Sequence, residues 1–131
     1  MTVDIPEGVS KIGVSAFNNC VALSDFDIPD SLSVIDDYVF NGCASLKSIV
    51  IPADVDSIKR SSFAGCTSLS KIVMLPATPP YAMYYDGEYY DEYSSFSHKT
   101  FETAVLNVPR DSEQKYRSTF PWLYFKRVST N

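Results

Sequence analysis

The side chains best suited to chemistry in this sequence are three cysteines, one histidine and a cluster of carboxylates. Cys20, Cys43 and Cys66 are separated by 23 residues each time. That spacing matches no CxxC or Cys–His zinc pattern, and an odd number of thiols cannot all pair within one chain. Equal intervals instead put the thiols at one place in a repeat, as small buried hydrophobes, and no disulfide is expected. His98 lies between Ser97 and Lys99, with no nucleophile or orienting acid at a recognisable motif. Asp86, Glu88, Asp91 and Glu92 bring four carboxylates into seven residues. Their order is not that of an EF-hand loop, which needs Asp-x-Asp-x-Asp-Gly and a distal Glu. Paired carboxylates serve glycoside hydrolysis where a site raises one pKa over the other, and nothing in the sequence builds such a site. We expect no catalytic residue, no metal and no cofactor; the sequence reads as a non-enzyme.

Those carboxylates sit among tyrosines. Tyr81, Tyr84, Tyr85, Tyr89, Tyr90 and Tyr93 are six of the nine tyrosines, and residues 81–93 carry −4 of the chain's −5. Asp86-Gly87, flanked by tyrosine pairs, signals a β-hairpin with a type I′ turn. Tyrosine offers wide amphipathic contact with few rotors, so these six residues are the first binding candidates. Their acidic neighbours favour a basic partner surface.

The elements that position them belong to one ordinary domain of 131 residues. Hydrophobic residues make up 45% and charged residues 21%, as in folded proteins. No apolar run approaches the roughly 20 residues of a membrane-spanning helix, so no membrane insertion by this chain is expected. A formal charge of −5 argues against nucleic acid as a partner.

A 23-residue period organises the chain. Ile5-Pro6, Ile28-Pro29 and Ile51-Pro52 recur at that interval, with Val9/Leu32/Val55, Ile12/Ile35/Ile58, Phe17/Phe40/Phe63 and Leu23/Leu46/Leu69 in register. Residues 26–28, 49–51 and 72–74 alternate and read as short strands, stacked in parallel at about 4.8 Å. Proline ends each strand. The expected fold is α/β: a right-handed leucine-rich-repeat solenoid with a short parallel sheet, 23-residue repeats, little helix and a non-repeat C-terminal cap. The expected organisation is repeats over residues 1–76 in three to four turns, a Pro/Tyr-rich insertion with the hairpin over 77–99, and a capping segment over 100–131. Residues 76–81, with three prolines in five positions, should not continue a sheet. In the last segment, residues 100–109 supply another strand ending in proline, and Asp111 or Ser112 caps a helix over Glu113–Ser118. Tyr116, Phe120, Trp122 and Phe125 lie against the last turn, and 124–128 form a final strand. Outward residues repeat with the period, so Asp4, Asp27, Val50 and Val73 form one column and Thr2, Asp25, Ser48 and Lys71 its neighbour. Asp25, Asp27, Val50, Lys71 and Val73 are the second group of binding candidates.

The unit I-P-x-x-[VL]-x-x-I-x-x-x-x-F-x-x-C-x-x-L-x-x-[IF]-x-I resembles the BspA-like leucine-rich repeats of bacterial, often Bacteroides-type, surface proteins. The resemblance covers residues 3–76; the family's Gly after the Ile is Gly13 in the first turn but Asp36 and Lys59 later. It implies an extracellular or cell-surface location and a module that binds proteins, including host extracellular proteins, as in adhesion. The alternatives are a structural spacer in a larger surface protein and a carbohydrate-binding module with a glycan as ligand. The first turn lacks the Leu and Cys that should precede its strand, so upstream repeats are expected.

Overall fold

The computed structural model describes residues 2–87 and 93–131. Backbone pairing stacks successive segments of the chain in parallel. β1 (Thr2–Val3) pairs with β2 (Asp25–Phe26), Thr2 opposite Asp25. β4 (Ser48–Ile51) pairs with β6 (Lys71–Met74), Ser48 opposite Lys71. That sheet continues through β8 (Val105–Val108) to β9 (Arg127–Thr130), all parallel. The alternation of side chains explains the choice of residues. Ile49, Ile51, Ile72, Met74, Leu106 and Val108 point inward and are buried, while Ser48, Val50 and Lys71 point out.

A second sheet was not foreseen. β3 (Val34–Ile35), β5 (Ser57–Ile58) and β7 (Tyr81–Ala82) form a three-stranded parallel sheet in that order. Each strand is two residues long with one buried side chain, too short for alternation to reveal it. Residues 76–80 stay out of the sheets, but Tyr81, expected outside as well, rejoins one, its N–H donating to the Asp56 carbonyl at 2.8 Å.

Between the strands of this sheet and the strands that follow them in sequence the chain makes a turn built on a phenylalanine. Phe17 N–H donates to Val39 O, Phe40 to Ser62 O and Phe63 to Ser95 O, at 2.8–2.9 Å. Phe17, Phe40, Phe63 and Phe96 stack ring on ring, with centroids 5.8, 5.2 and 5.3 Å apart. Burying each such ring contributes about 1.5–3 kcal/mol. Two left-handed positions shape this turn: Ser15, Tyr38 and Ser61 occupy the first, Asn19, Gly42 and Gly65 the second. At Gly42 a Cβ would also collide with the Asn19 side chain, so the close stacking of turns requires glycine there.

The cysteines follow the phenylalanines. Cys43 Sγ donates to Phe17 O at 3.2 Å and Cys66 Sγ to Phe40 O at 3.1 Å. Both are buried, whereas Cys20 is half-buried; all three are free thiols. Burial pushes the Cys43 thiol up to about 11 and the Cys66 thiol up to about 12.

The C-terminal segment departs from expectation in detail. Thr100 and Phe101 lie in α1 (His98–Thr103), and the strand starts only at Val105. α2 spans Glu113–Ser118, but the Ser112 side chain does not cap it; its hydroxyl donates to Ala77 O at 2.7 Å. Residues 122–124 form a 3-10 turn, which moves the last strand to Arg127–Thr130. Tyr116, Trp122 and Phe125 are buried, but Phe120 is 53% exposed.

Candidate binding site

Where the second sheet ends, the chain leaves the stack and returns to it. Ile58 and Phe63 stand five positions apart, whereas the aligned Ala82 and Phe96 stand fourteen apart. The extra residues make an excursion whose two ends are pinned together. Ser95 Oγ takes the Met83 N–H at 2.9 Å and donates to Ile58 O at 2.8 Å, so its hydroxyl stands between two adjacent strands. Ser94 Oγ accepts from Tyr85 N–H at 2.8 Å, and Ser95 N–H donates to Met83 O at 2.8 Å. Both serines are buried, and such satisfied hydroxyls hold the exit and return at one place.

This anchoring sorts the tyrosines. Tyr84 turns toward the core, stacks on Tyr124 with centroids 4.2 Å apart, and meets Phe101 edge-on at 5.3 Å. Tyr81 is 64% exposed and Tyr85 45% exposed. Tyr85 meets Tyr93 edge-on at 5.3 Å, and a Cβ at Gly87 would lie 2.6 Å from the Tyr85 ring, so glycine leaves room for that ring. The Arg60 guanidinium lies 4.4 Å from the Tyr93 ring centroid and 5.5 Å from that of Tyr38. Tyr81, Met83, Tyr84, Tyr85, Tyr93 and Phe120 line a cleft of about 370 Å³, open to solvent and mostly apolar. Tyr89 and Tyr90, and the second strand of the expected hairpin, lie outside the described residues. Gly87 is not in the left-handed conformation that a type I′ turn needs.

The second group of candidates is elsewhere. Asp25 and Asp27 are exposed at and beside β2, with Asp4 on the same shallow depression. Val50 is 47% exposed on β4; Lys71 is exposed and Val73 half-buried on β6. Val50 faces Val73, which faces Asn107 and then Ser129. These residues belong to the sheets of β1–β2 and β4–β6–β8–β9, the tyrosines to the sheet of β7 and the excursion. None of the five lines the aromatic cleft.

Sequence reasoning missed Met83, Phe120, Arg60 and the two serine anchors. One signal was available: Ser61-Ser62-Phe63 recurs as Ser94-Ser95-Phe96, which marks where the excursion rejoins the stack. Among the described residues no group of three or more His, Cys, Asp or Glu could hold a metal ion, and no helix is long and apolar enough to cross a membrane. His98 Nε2 approaches Glu102 Oε1 at 3.2 Å, and Lys126 Nζ approaches Glu102 Oε2 at 2.6 Å on an exposed surface. Their hydrogen bonds lower the Glu102 pKa, Lys126 contributing most.

The BspA type leucine-rich repeat region (6 copies) matches residues 1–85. The chain belongs to this family. BspA-type repeats are modules often found in bacterial surface proteins, and leucine-rich repeats generally serve as non-catalytic scaffolds for protein interaction. No curated protein matches the chain. The match ends at Tyr85, inside the excursion, so the BspA-type region and the aromatic cleft overlap.

Proposed function

We infer that the chain is a non-catalytic protein-binding module of a secreted or cell-surface bacterial protein. In this reading the repeats form a solenoid of 23-residue turns that continues through β7 and Phe96, the excursion within residues 83–93 is an insertion in its fourth turn, and residues 100–131 close its end as a cap. The observation that carries the reading is the aromatic cleft: three large rings, Tyr81, Tyr85 and Phe120, stay substantially exposed beside a packed aromatic core. Exposed apolar rings clustered on a rigid scaffold mark a contact surface rather than a fold requirement. A spacer has no use for them.

The test is a binding screen of the intact chain against extracellular proteins and glycans, repeated with Tyr81→Ser/Tyr85→Ser and with Val50→Ser. A protein ligand lost with either variant supports the module. Glycan binding alone would replace it with a carbohydrate-binding function, and no ligand at all would favour a spacer.

A further inference from the structure

The cleft also has a chemical preference. Its walls are ring faces and a thioether: Tyr81, Met83, Tyr84, Tyr85, Tyr93 and Phe120. Ala82 on β7 is only 2% exposed, so the surface that the cleft offers is made of side chains. A side chain is the occupant that such walls fit. Two independent features select its charge. The sequence from Asp86 to Glu92, which begins directly after Tyr85, holds four carboxylates and no cation. And the protein already places one of its own guanidinium groups on this cluster, Arg60 over Tyr93 at 4.4 Å. The negative face of a tyrosine ring attracts a cation, and the planar guanidinium stacks on it while keeping its donors free for carboxylates.

Resting on the protein-binding reading above, we propose that the cleft takes an arginine side chain presented by a basic segment of the partner, its guanidinium against the exposed faces of Tyr81, Tyr85 and Phe120. Arg60 sits over the Tyr93 ring, while Tyr81, Tyr85 and Phe120 keep 64%, 45% and 53% of their surface exposed to an incoming group. The net negative charge of the sequence 86–92 attracts the basic segment over a distance and raises its association rate.

The experiment uses a dye-labelled ten-residue peptide of alternating serine and arginine, and the same peptide with citrulline in place of arginine. Citrulline keeps the shape and removes the charge. Fluorescence anisotropy should give about tenfold or greater preference for the arginine peptide at physiological salt. Tyr81→Leu and Tyr85→Leu should each weaken that binding about three- to tenfold, while Tyr85→Phe, which keeps the ring, should retain it. Asp25→Asn/Asp27→Asn should leave it unchanged, which separates the cleft from the acidic depression on β2. Equal affinity for the citrulline peptide would overturn the proposal, as would insensitivity to both leucine variants, or loss that follows Asp25→Asn/Asp27→Asn. A protein partner that responds to Val50→Ser, in a chain that binds no arginine peptide, would sink this proposal and leave the module intact.

Discussion

Through the repeats, segments of the chain are joined to their neighbours chiefly by backbone groups, with a few side chains such as Cys43 and Cys66 added; at residues 76–80 the donors to the chain's carbonyls are side chains. Asp56 N–H donates to Ser33 O, Tyr81 N–H to Asp56 O and Leu75 N–H to Ile51 O. In the next layer Pro76 O accepts from Tyr116 Oη at 2.7 Å, Ala77 O from the Ser112 hydroxyl, and Pro80 O from Trp122 Nε1 at 2.8 Å. The indole N–H stands in the ladder where a further segment would have offered a backbone N–H, since Pro80 directly precedes Tyr81 as Asp56 precedes Ser57. Backbone links are common to all residues, so a stack that keeps its apolar columns and the glycine of its close turns can carry many sequences. The C-terminal segment joins it instead through particular side chains at particular places.

The same contrast holds for the aromatics. In the repeats four phenylalanines stack nearly parallel. At the C-terminal end Phe96 meets Phe101, Trp122 and Phe125 at steep angles, the geometry favoured when rings pack from different directions.

Breaking the repeat side should have the largest effect. Phe40 is fully buried and touches Phe17, Phe26 and Phe63. Phe40→Ala should cost about 3–5 kcal/mol and melt the stack as a unit, since neighbouring turns stabilise one another. A urea titration checks this; an unchanged midpoint would place Phe40 outside the common core.

The legibility of the two regions differs for the same reason. Three residues such as Phe17, Phe40 and Phe63 at one interval announce a column, and Phe40 could be assigned to the core from sequence. Ile12, Ile35 and Ile58 announce a column in the same way but not a sheet, because Val34–Ile35 and Ser57–Ile58 are too short to alternate. The fourth turn was hidden because the excursion displaces Phe96 from its place in the count. Tyr116 and Trp122 could be placed in the core by their hydrophobicity, but not their hydrogen bonds to Pro76 and Pro80, which depend on how α2 sits. Phe120 was read as core on the same grounds and is instead a wall of the cleft. The tyrosines were legible as a group, yet only the packing divides Tyr84 from Tyr81 and Tyr85.

Breaking the terminating side should cost less. Trp122→Phe removes the indole donor and leaves the buried Pro80 carbonyl unsatisfied, a loss of about 1–3 kcal/mol. Tyr116→Phe does the same to Pro76 O and should fall in the same range. Both are read from chemical denaturation, and an effect equal to that of Phe40→Ala would erase the distinction between the regions.

Alkaline pH should sharpen the comparison. Cys43 and Cys66 titrate near 9.0 when exposed and at about 11 and about 12 in the fold, chiefly because burial disfavours the thiolate. Tyr116 is shifted upward from its ordinary 10.0, also by burial. The unfolded chain thus loses these protons first. Their stabilisation is complete below pH 9 and is lost as pH rises toward 12. The melting temperature should fall through that window, and Cys66→Ala should reduce the slope. Thiol labelling near neutral pH should reach the half-buried Cys20 first and Cys43 and Cys66 only on unfolding; rapid native labelling of Cys66 would contradict its place in the stack.

The smallest effect on stability, and the largest on recognition, should come from the exposed tyrosines. The most direct measurement compares Tyr81→Ser/Tyr85→Ser with Trp122→Phe, at a temperature where both are folded, for affinity toward a protein ligand recovered with the intact chain. The tyrosine variant should melt within about 1 kcal/mol of the parent stability and bind at least about tenfold more weakly, while Trp122→Phe loses stability and keeps its affinity. A tyrosine variant that unfolds, or that binds as tightly as the parent, would contradict the assignment of recognition to the cleft.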